Sequence, residues 1–240
     1  MLRSALSLLG FLWLFFDLCP AALACSPHLE DIIESKTSLE DALNPYALDS
    51  QDPQVNFAIG KVYLAFSENG QWANLEKAVS HLKKAHKAFP KDPVITMYLG
   101  RAIGARALQV GPGLLTRLQW AREGFRYMDK ALAAEKDCFL LRLYRGEAQL
   151  MAHPILRRQG RLQKDAAFME SFLESAEYAT LSKELKARIQ LFMGNYLSRK
   201  KSQQARGRGC WQKAISLAAN SSFAQEAMAR LDGTFENLGY

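Results

Sequence analysis

Four glycines, Gly60, Gly100, Gly146 and Gly194, recur along the chain with spacings of 40, 46 and 48 residues. Each stands in a stretch patterned for helix, and from residue 53 onward nothing alternates with a period of two for long enough to make a strand. A small residue recurring at the spacing of a helix pair constrains the fold strongly, because it marks where two helices approach closely. Composition points the same way. Only 8 Pro and 15 Gly occur in 240 residues, while Ala, Leu, Lys, Arg, Glu and Gln, which keep most of their freedom in a helix, abound.

The best-defined unit spans 53–93. Ile59-Gly60 and Tyr63 occupy a first helix; Ala78, Leu82, Ala85 and Pro90 follow in a second, with a connection of about six extra residues around Ser67–Trp72. A second unit starts at Asp92-Pro93, an N-cap followed by proline at the first helical position. It carries Leu99-Gly100 and Ile103, then Gly124, Met128 and Ala131, with Lys136 last and Gly111-Pro112-Gly113 in its insert. A third has Gly146 and Gln149, then the stripe Leu162, Ala166, Met169 and Leu173. A fourth has Met193-Gly194 and Leu197, then Trp211 and Ala214 before Asn220. The pattern resembles the tetratricopeptide (TPR) repeat, whose first helix carries Leu-Gly and an aromatic, and whose second carries Ala, a bulky residue, Ala and Pro. Every second-helix spacing of that family is met at 78, 82, 85 and 90. His153-Pro154, Gly160-Arg161 and Asp165 further resemble the third unit of exported bacterial TPR-like proteins. The resemblance implies an all-α, right-handed superhelical stack of degenerate helix-turn-helix repeats with long intra-repeat loops. About four repeats would fill 53–220, with a capping helix from about Ser222 to Leu231 and a tail to 240.

Residues 1–24 have the order of a signal peptide: Arg3, an apolar run from Ala5 to Phe16, Pro20, then the small-x-small site Ala22-Leu23-Ala24. The run is about a dozen residues, short of the ~20 that span a bilayer, and export to the periplasm or outer envelope is expected (secretion, if the source is not bacterial). Residues 26–52 are expected to hold a helix from about His28 to Ala42 and a linker. Cys25 directly follows the cleavage site and resembles the lipidated cysteine of bacterial lipoproteins, although Ala22 and Leu23 stand in the reverse of the usual order. Plain cleavage after Ala24 is the reading these residues favour, with lipidation of Cys25 as the alternative. A lipidated Cys25 leaves Cys138 and Cys210 to form a disulfide. Otherwise one thiol is left over or pairs between chains, and Cys138 and Cys210 can equally be small buried packing residues.

The formal charge of +7 is unevenly spread. Residues 26–60 hold seven acids and one base, and residues 153–213 hold thirteen bases and five acids. Two basic inserts, Arg157, Arg158 and Arg161, and Arg199, Lys200 and Lys201, are the candidate binding residues, since guanidinium offers paired donors to an anion. Such charge also solubilises a helical surface. His81 and His86 are five apart on one helix, which is wrong for a metal pair and reads as surface. No spacing of residues signals catalysis, a metal or a cofactor. The expected function is therefore a non-catalytic exported scaffold holding a protein or peptide on a concave face of first helices. An acidic partner or anionic envelope surface suits the basic inserts. Export argues against nucleic acid, and membrane attachment would run only through the lipid. An alternative is an accessory ligand-binding protein of an envelope transport system, with inserts folded over a cavity lined by aromatics. A further alternative is an enzyme with a dispersed site.

Overall fold

The computed structural model describes residues 51–68 and 71–233. The expected signal segment, the helix over 28–42, Cys25 and the C-terminal tail lie outside the described residues. Within them every regular element is helical. Ten α-helices follow one another: α1 (Pro53–Glu68), α2 (Leu75–Ala88), α3 (Pro93–Ala105), α4 (Leu114–Ala134), α5 (Phe139–Leu150), α6 (Gln159–Phe172), α7 (Ala176–Thr180), α8 (Lys183–Leu197), α9 (Gln204–Leu217) and α10 (Ser222–Leu231). Short 3-10 turns stand at Trp72–Asn74, Arg106–Leu108, Pro154–Leu156 and Lys201–Gln203, inside the connections that the sequence marks as inserts.

The helix starts follow from local chemistry. Asp92 accepts a hydrogen bond from the Ile95 amide at 2.9 Å, and Pro93 needs no partner for an N–H it lacks. Ser175, Ser182 and Ser221 cap α7, α8 and α10 in the same way. The Ser175 cap supports a one-turn helix, α7, that periodicity alone does not announce.

Sequence neighbours pair: α1 with α2, α3 with α4, α5 with α6, and α8 with α9, while α10 rests on α8 and α9. The first members also touch in order, α1 with α3, α3 with α5, and α5 with α8. At three of the marker glycines the paired helix closes on the bare backbone. A Cβ on Gly60 would meet Leu82 at 2.7 Å, one on Gly100 would meet the Gly124 carbonyl at 2.8 Å, and one on Gly194 would collide with the Trp211 indole. Gly146 differs, since Phe192 of α8 fills its space at 2.7 Å. The second-helix residues Ala78, Leu82, Ala85, Met128, Ala131, Leu162, Ala166 and Met169 are all buried, as their spacing requires, whereas Leu173, the last of the third stripe, is the C-cap of α6 and only half-buried.

A polar and aromatic chain crosses the first helices. Arg101 of α3 holds Glu68 of α1 through two contacts, at 3.0 and 2.8 Å. Its guanidinium lies 4.0 Å over the ring of Tyr144 on α5, with Arg188 of α8 also over that ring at 4.8 Å. Arg188 in turn grips Glu147 at 2.8 and 2.9 Å. One large apolar cluster runs from α1 to α8, and a small second one gathers Ala187, Leu191, Trp211, Ala214 and Ala227. Among the described residues no helix is long and apolar enough to cross a membrane.

Candidate functional site: an arginine-lined cleft

Helix α4 has 21 residues, and Gly124, Phe125, Met128 and Leu132 bury one face of it. Beside that face run Arg122, Arg126 and Asp129, at i, i+4 and i+7, a spacing that aligns side chains on one stripe. The segment after α5 passes over this stripe. His153 Nδ1 accepts from the Ile155 amide and starts the turn Pro154–Leu156. The Arg157 amide closes the turn on the Pro154 carbonyl at 3.0 Å. That closure puts Arg157 at φ 50° and ψ 43°, the left-handed region. An L side chain there costs roughly 1–2 kcal/mol.

Between the two walls lies a cavity of about 490 Å³, lined by Arg122, Phe125, Arg126 and Asp129 from α4 and by residues 155–158 and Arg161 opposite. Five arginines thus face a single lining carboxylate. Arg158 is the best fixed of them. It lies 4.3 Å over the Phe125 ring and donates to both oxygens of Asp129, at 2.7 and 2.9 Å. Arg161 pairs with Asp129 as well. Behind the cleft, Arg145 of α5 donates to Asp129 at 3.0 Å and to both oxygens of the fully buried Asp165 at 2.9 and 2.7 Å. Gln149 completes Asp165 at 3.1 Å, with Arg142 at 3.4 Å. Burial alone would raise the Asp129 pKa. The Arg158 hydrogen bond and the charges of Arg158, Arg161 and Arg145 outweigh it and hold the carboxyl below its ordinary value.

Three guanidiniums lack a carboxylate, although that of Arg126 lies 4.9 Å over the Tyr127 ring. Among the described residues Arg122, Arg126 and Arg157 have no carboxylate partner, and all three are exposed. Arg158 Nε is buried without any hydrogen-bond partner. A buried donor without an acceptor costs about 1–3 kcal/mol.

The first expected basic cluster is therefore brought together, with two corrections of place. Arg158 is the N-cap of α6 and Arg161 lies in its first turn, so only Arg157 is a loop residue. The second cluster does not join them at the cavity. Arg199 donates to the Leu150 carbonyl, and burial plus the nearby charge of Arg230 lower its pKa. Lys200 leans on the Tyr196 ring at 5.2 Å, and Lys201 starts a 3-10 turn. Arg206 and Arg208, which follow that cluster in sequence, lie within α9. Arg122, Arg126 and Asp129 are the residues that the sequence reading leaves out. Their i, i+4, i+7 spacing puts them on one stripe, but nothing on α4 alone separates that stripe from a solvated face.

Cys138 is disulfide-bonded and Cys210 is a free thiol, so the pairing of these two is overturned. The partner of Cys138 is not among the described residues. Cys210 is half-buried in α9, and burial raises its pKa. It borders a smaller cavity of about 280 Å³ between α6, α8 and α9. The histidines are less superficial than their spacing suggests. His81 lies against the Tyr63 ring and meets Asn56 at 2.8 Å, and His86 sets its edge against Tyr127, so each reaches a different neighbouring helix. Burial lowers the pKa of both, helped by Lys84 at His81 and Lys130 at His86. Among the described residues no group of three or more His, Cys, Asp or Glu could hold a metal ion.

Comparison with family models, with curated proteins and with solved structures finds no match to this chain.

Proposed function

We propose that this chain is an exported, non-catalytic binding scaffold of tetratricopeptide-like helix pairs, and that its working site is the arginine cleft, where a partner inserts an anionic group. The carrying observation is the imbalance there: five arginines around one carboxylate, three of them without a counter-charge. A monomer gains nothing in stability from like charges gathered at one place. The pairing of neighbouring helices and the ordered contact of first helices support the repeat reading. In the first reading the partner is a protein or peptide with an acidic segment, since arginine clusters recognise such motifs. The cleft then replaces the concave face of first helices as the docking place.

The second reading, an accessory ligand-binding protein of an envelope transport system, draws on the cavity volume, which falls within the range of small-molecule sites. Its lining differs from the expected aromatic one: Phe125 is the single aromatic among the arginines. Both readings predict that hexaglutamate or a small anion binds the protein and that the double variant Arg122→Glu, Arg157→Glu does not. Equal binding by the double variant would remove the cleft from the function. For the export reading, the mass of the mature N-terminus decides between plain cleavage and a lipidated Cys25.

A further inference from the structure

We infer that the cleft is built for a compact dianion, a phosphate monoester group, and this rests on the reading of the cleft as the working site. Asp129 shows what one carboxylate does here. It absorbs Arg158 and Arg161 at the cleft and touches Arg145 behind it, and Arg145 is already committed to Asp165. After that pairing three guanidiniums remain, two from α4 and one from the turn opposite, on both walls of one cavity. A single incoming carboxylate carries one charge and two oxygens. A phosphate monoester carries close to two charges and three acceptor oxygens, which matches three guanidiniums approaching from different sides.

The left-handed backbone at Arg157 is a second, independent sign. Non-glycine residues held there cluster at ligand clamps, and here the strained residue is itself one of the three unpaired arginines. Ile155, 53% exposed, lies two residues before it and also lines the cleft. The body that carries the phosphate therefore meets an apolar surface at the mouth. The cavity is far larger than a phosphate ion needs, which leaves room for that body.

The pH response separates a phosphate from other anions. The groups that face the site are Arg122, Arg126 and Asp129 on α4, Arg157, Arg158 and Arg161 on the turn and α6, and Arg145 on α5 behind them, with His153 at the start of the turn. Asp129 stays ionised because Arg158, Arg161 and Arg145 hold its pKa down. In a His153→Asn protein, which keeps an acceptor for the Ile155 amide, the ligand is what titrates. A phosphate monoester gains its second charge near pH 6, so its affinity should rise roughly tenfold between about pH 5 and pH 7.5, whereas that of sulfate should stay flat.

The test is calorimetric titration of the intact protein, and of its His153→Asn variant for the pH response, at low salt with glycerol phosphate, inorganic phosphate, sulfate and hexaglutamate. Flotation with phosphatidylcholine vesicles, with and without phosphatidic acid, runs alongside. The expected result is saturable phosphate binding with that pH response, weakened roughly tenfold by Arg122→Ala and by Arg157→Gly, and unchanged in Arg206→Ala, which alters an arginine outside the cleft. Binding of free glycerol phosphate assigns a soluble ligand, and binding confined to phosphatidic acid vesicles assigns a lipid headgroup. Both support the dianion site. Binding of hexaglutamate without phosphate or sulfate overturns the inference and leaves the acidic-peptide reading standing. If no anion binds, or if the Arg122→Ala and Arg157→Gly proteins keep full affinity while folded by circular dichroism, both fail.

Discussion

Arg145 meets Asp165 at two points, Nε to Oδ2 at 2.9 Å and Nη2 to Oδ1 at 2.7 Å, with the aspartate wholly shielded from solvent. Breaking a buried pair from one side strands the other charge and costs about 3–5 kcal/mol. Arg145→Leu should therefore unfold at markedly lower urea. Adding Asp165→Leu should recover much of the loss, because the stranded charge goes with it. A single variant as stable as the parent would show that Gln149 and Arg142 suffice for Asp165.

At Arg157 stability and binding should part company. Glycine at φ 50° removes the left-handed penalty, offset in part by a freer unfolded chain, for a net gain of up to about 1 kcal/mol. Arg157→Gly should melt at or above the parent temperature while losing anion affinity. A clear drop in melting temperature would mean that the arginine side chain anchors the turn.

Two glycine substitutions should act with opposite sign. In Gly124→Ala the new Cβ would fall 2.6 Å from the Gly100 carbonyl and 2.7 Å from the Gly104 backbone, so helices α3 and α4 must separate. The cost should reach about 3 kcal/mol or more, the upper end for overpacking, since backbone yields less than a side chain. Gly209→Ala in α9 meets nothing within 4 Å. It should gain close to 1 kcal/mol from helix propensity. Thermal melts of the two proteins, run together, test the packing of both pairs.

Acid should destabilise the fold in two stages. His81 and His86 have folded pKa values below 6.5, so the unfolded chain takes up their protons first and stability falls as pH drops below 6.5. Asp129 also has a lowered folded pKa. Its contribution is full at neutral pH and is lost as pH falls from its ordinary 3.8 through the folded value. In Asp129→Asn the lower stage should vanish while the histidine stage persists. Denaturation midpoints measured from neutral to strongly acid pH resolve the two.

Thiol chemistry gives a direct check on the cysteines. Without reductant, alkylation should leave Cys138 unlabelled because it is already bonded. Cys210 should react, but slowly near neutral pH, since burial raises its pKa and lowers its thiolate fraction. Peptide mapping after labelling, before and after reduction, reads both outcomes. Labelling of Cys138 in the unreduced protein would contradict the structure.

The helices were legible because their signals are local. Asp92-Pro93 states a start, and Ala78, Leu82 and Ala85 state a buried stripe, with no knowledge of the rest of the chain. The cleft was only half legible. Arg157, Arg158 and Arg161 advertise themselves as a cluster, but their other wall lies about thirty residues earlier. On α4 alone Arg122 and Arg126 are indistinguishable from a solvated face. Nothing local says that the turn after α5 will cross that face, because this depends on how α4 meets α5 and α6. Asp129 was hidden for the same reason, and Asp165, though marked in the sequence, gave no sign of its pairing with Arg145. An acid in a helix declares its role only once the arginines from other elements arrive.

The small C-terminal cluster gives the molecule a built-in optical reporter. Trp211 packs on Gly194, with its indole Nε1 donating to Asn195 at 2.9 Å, inside a cluster separate from the main core. Trp72 and Trp120 stand on earlier elements, the first exposed and the second beneath Arg106. A transition in which Trp211 emission reddens before Trp72 and Trp120 respond would mark α9 and α10 as the part that opens first. In a protein with Trp13, Trp72 and Trp120 replaced by phenylalanine, Trp211 fluorescence would follow that end without an added label.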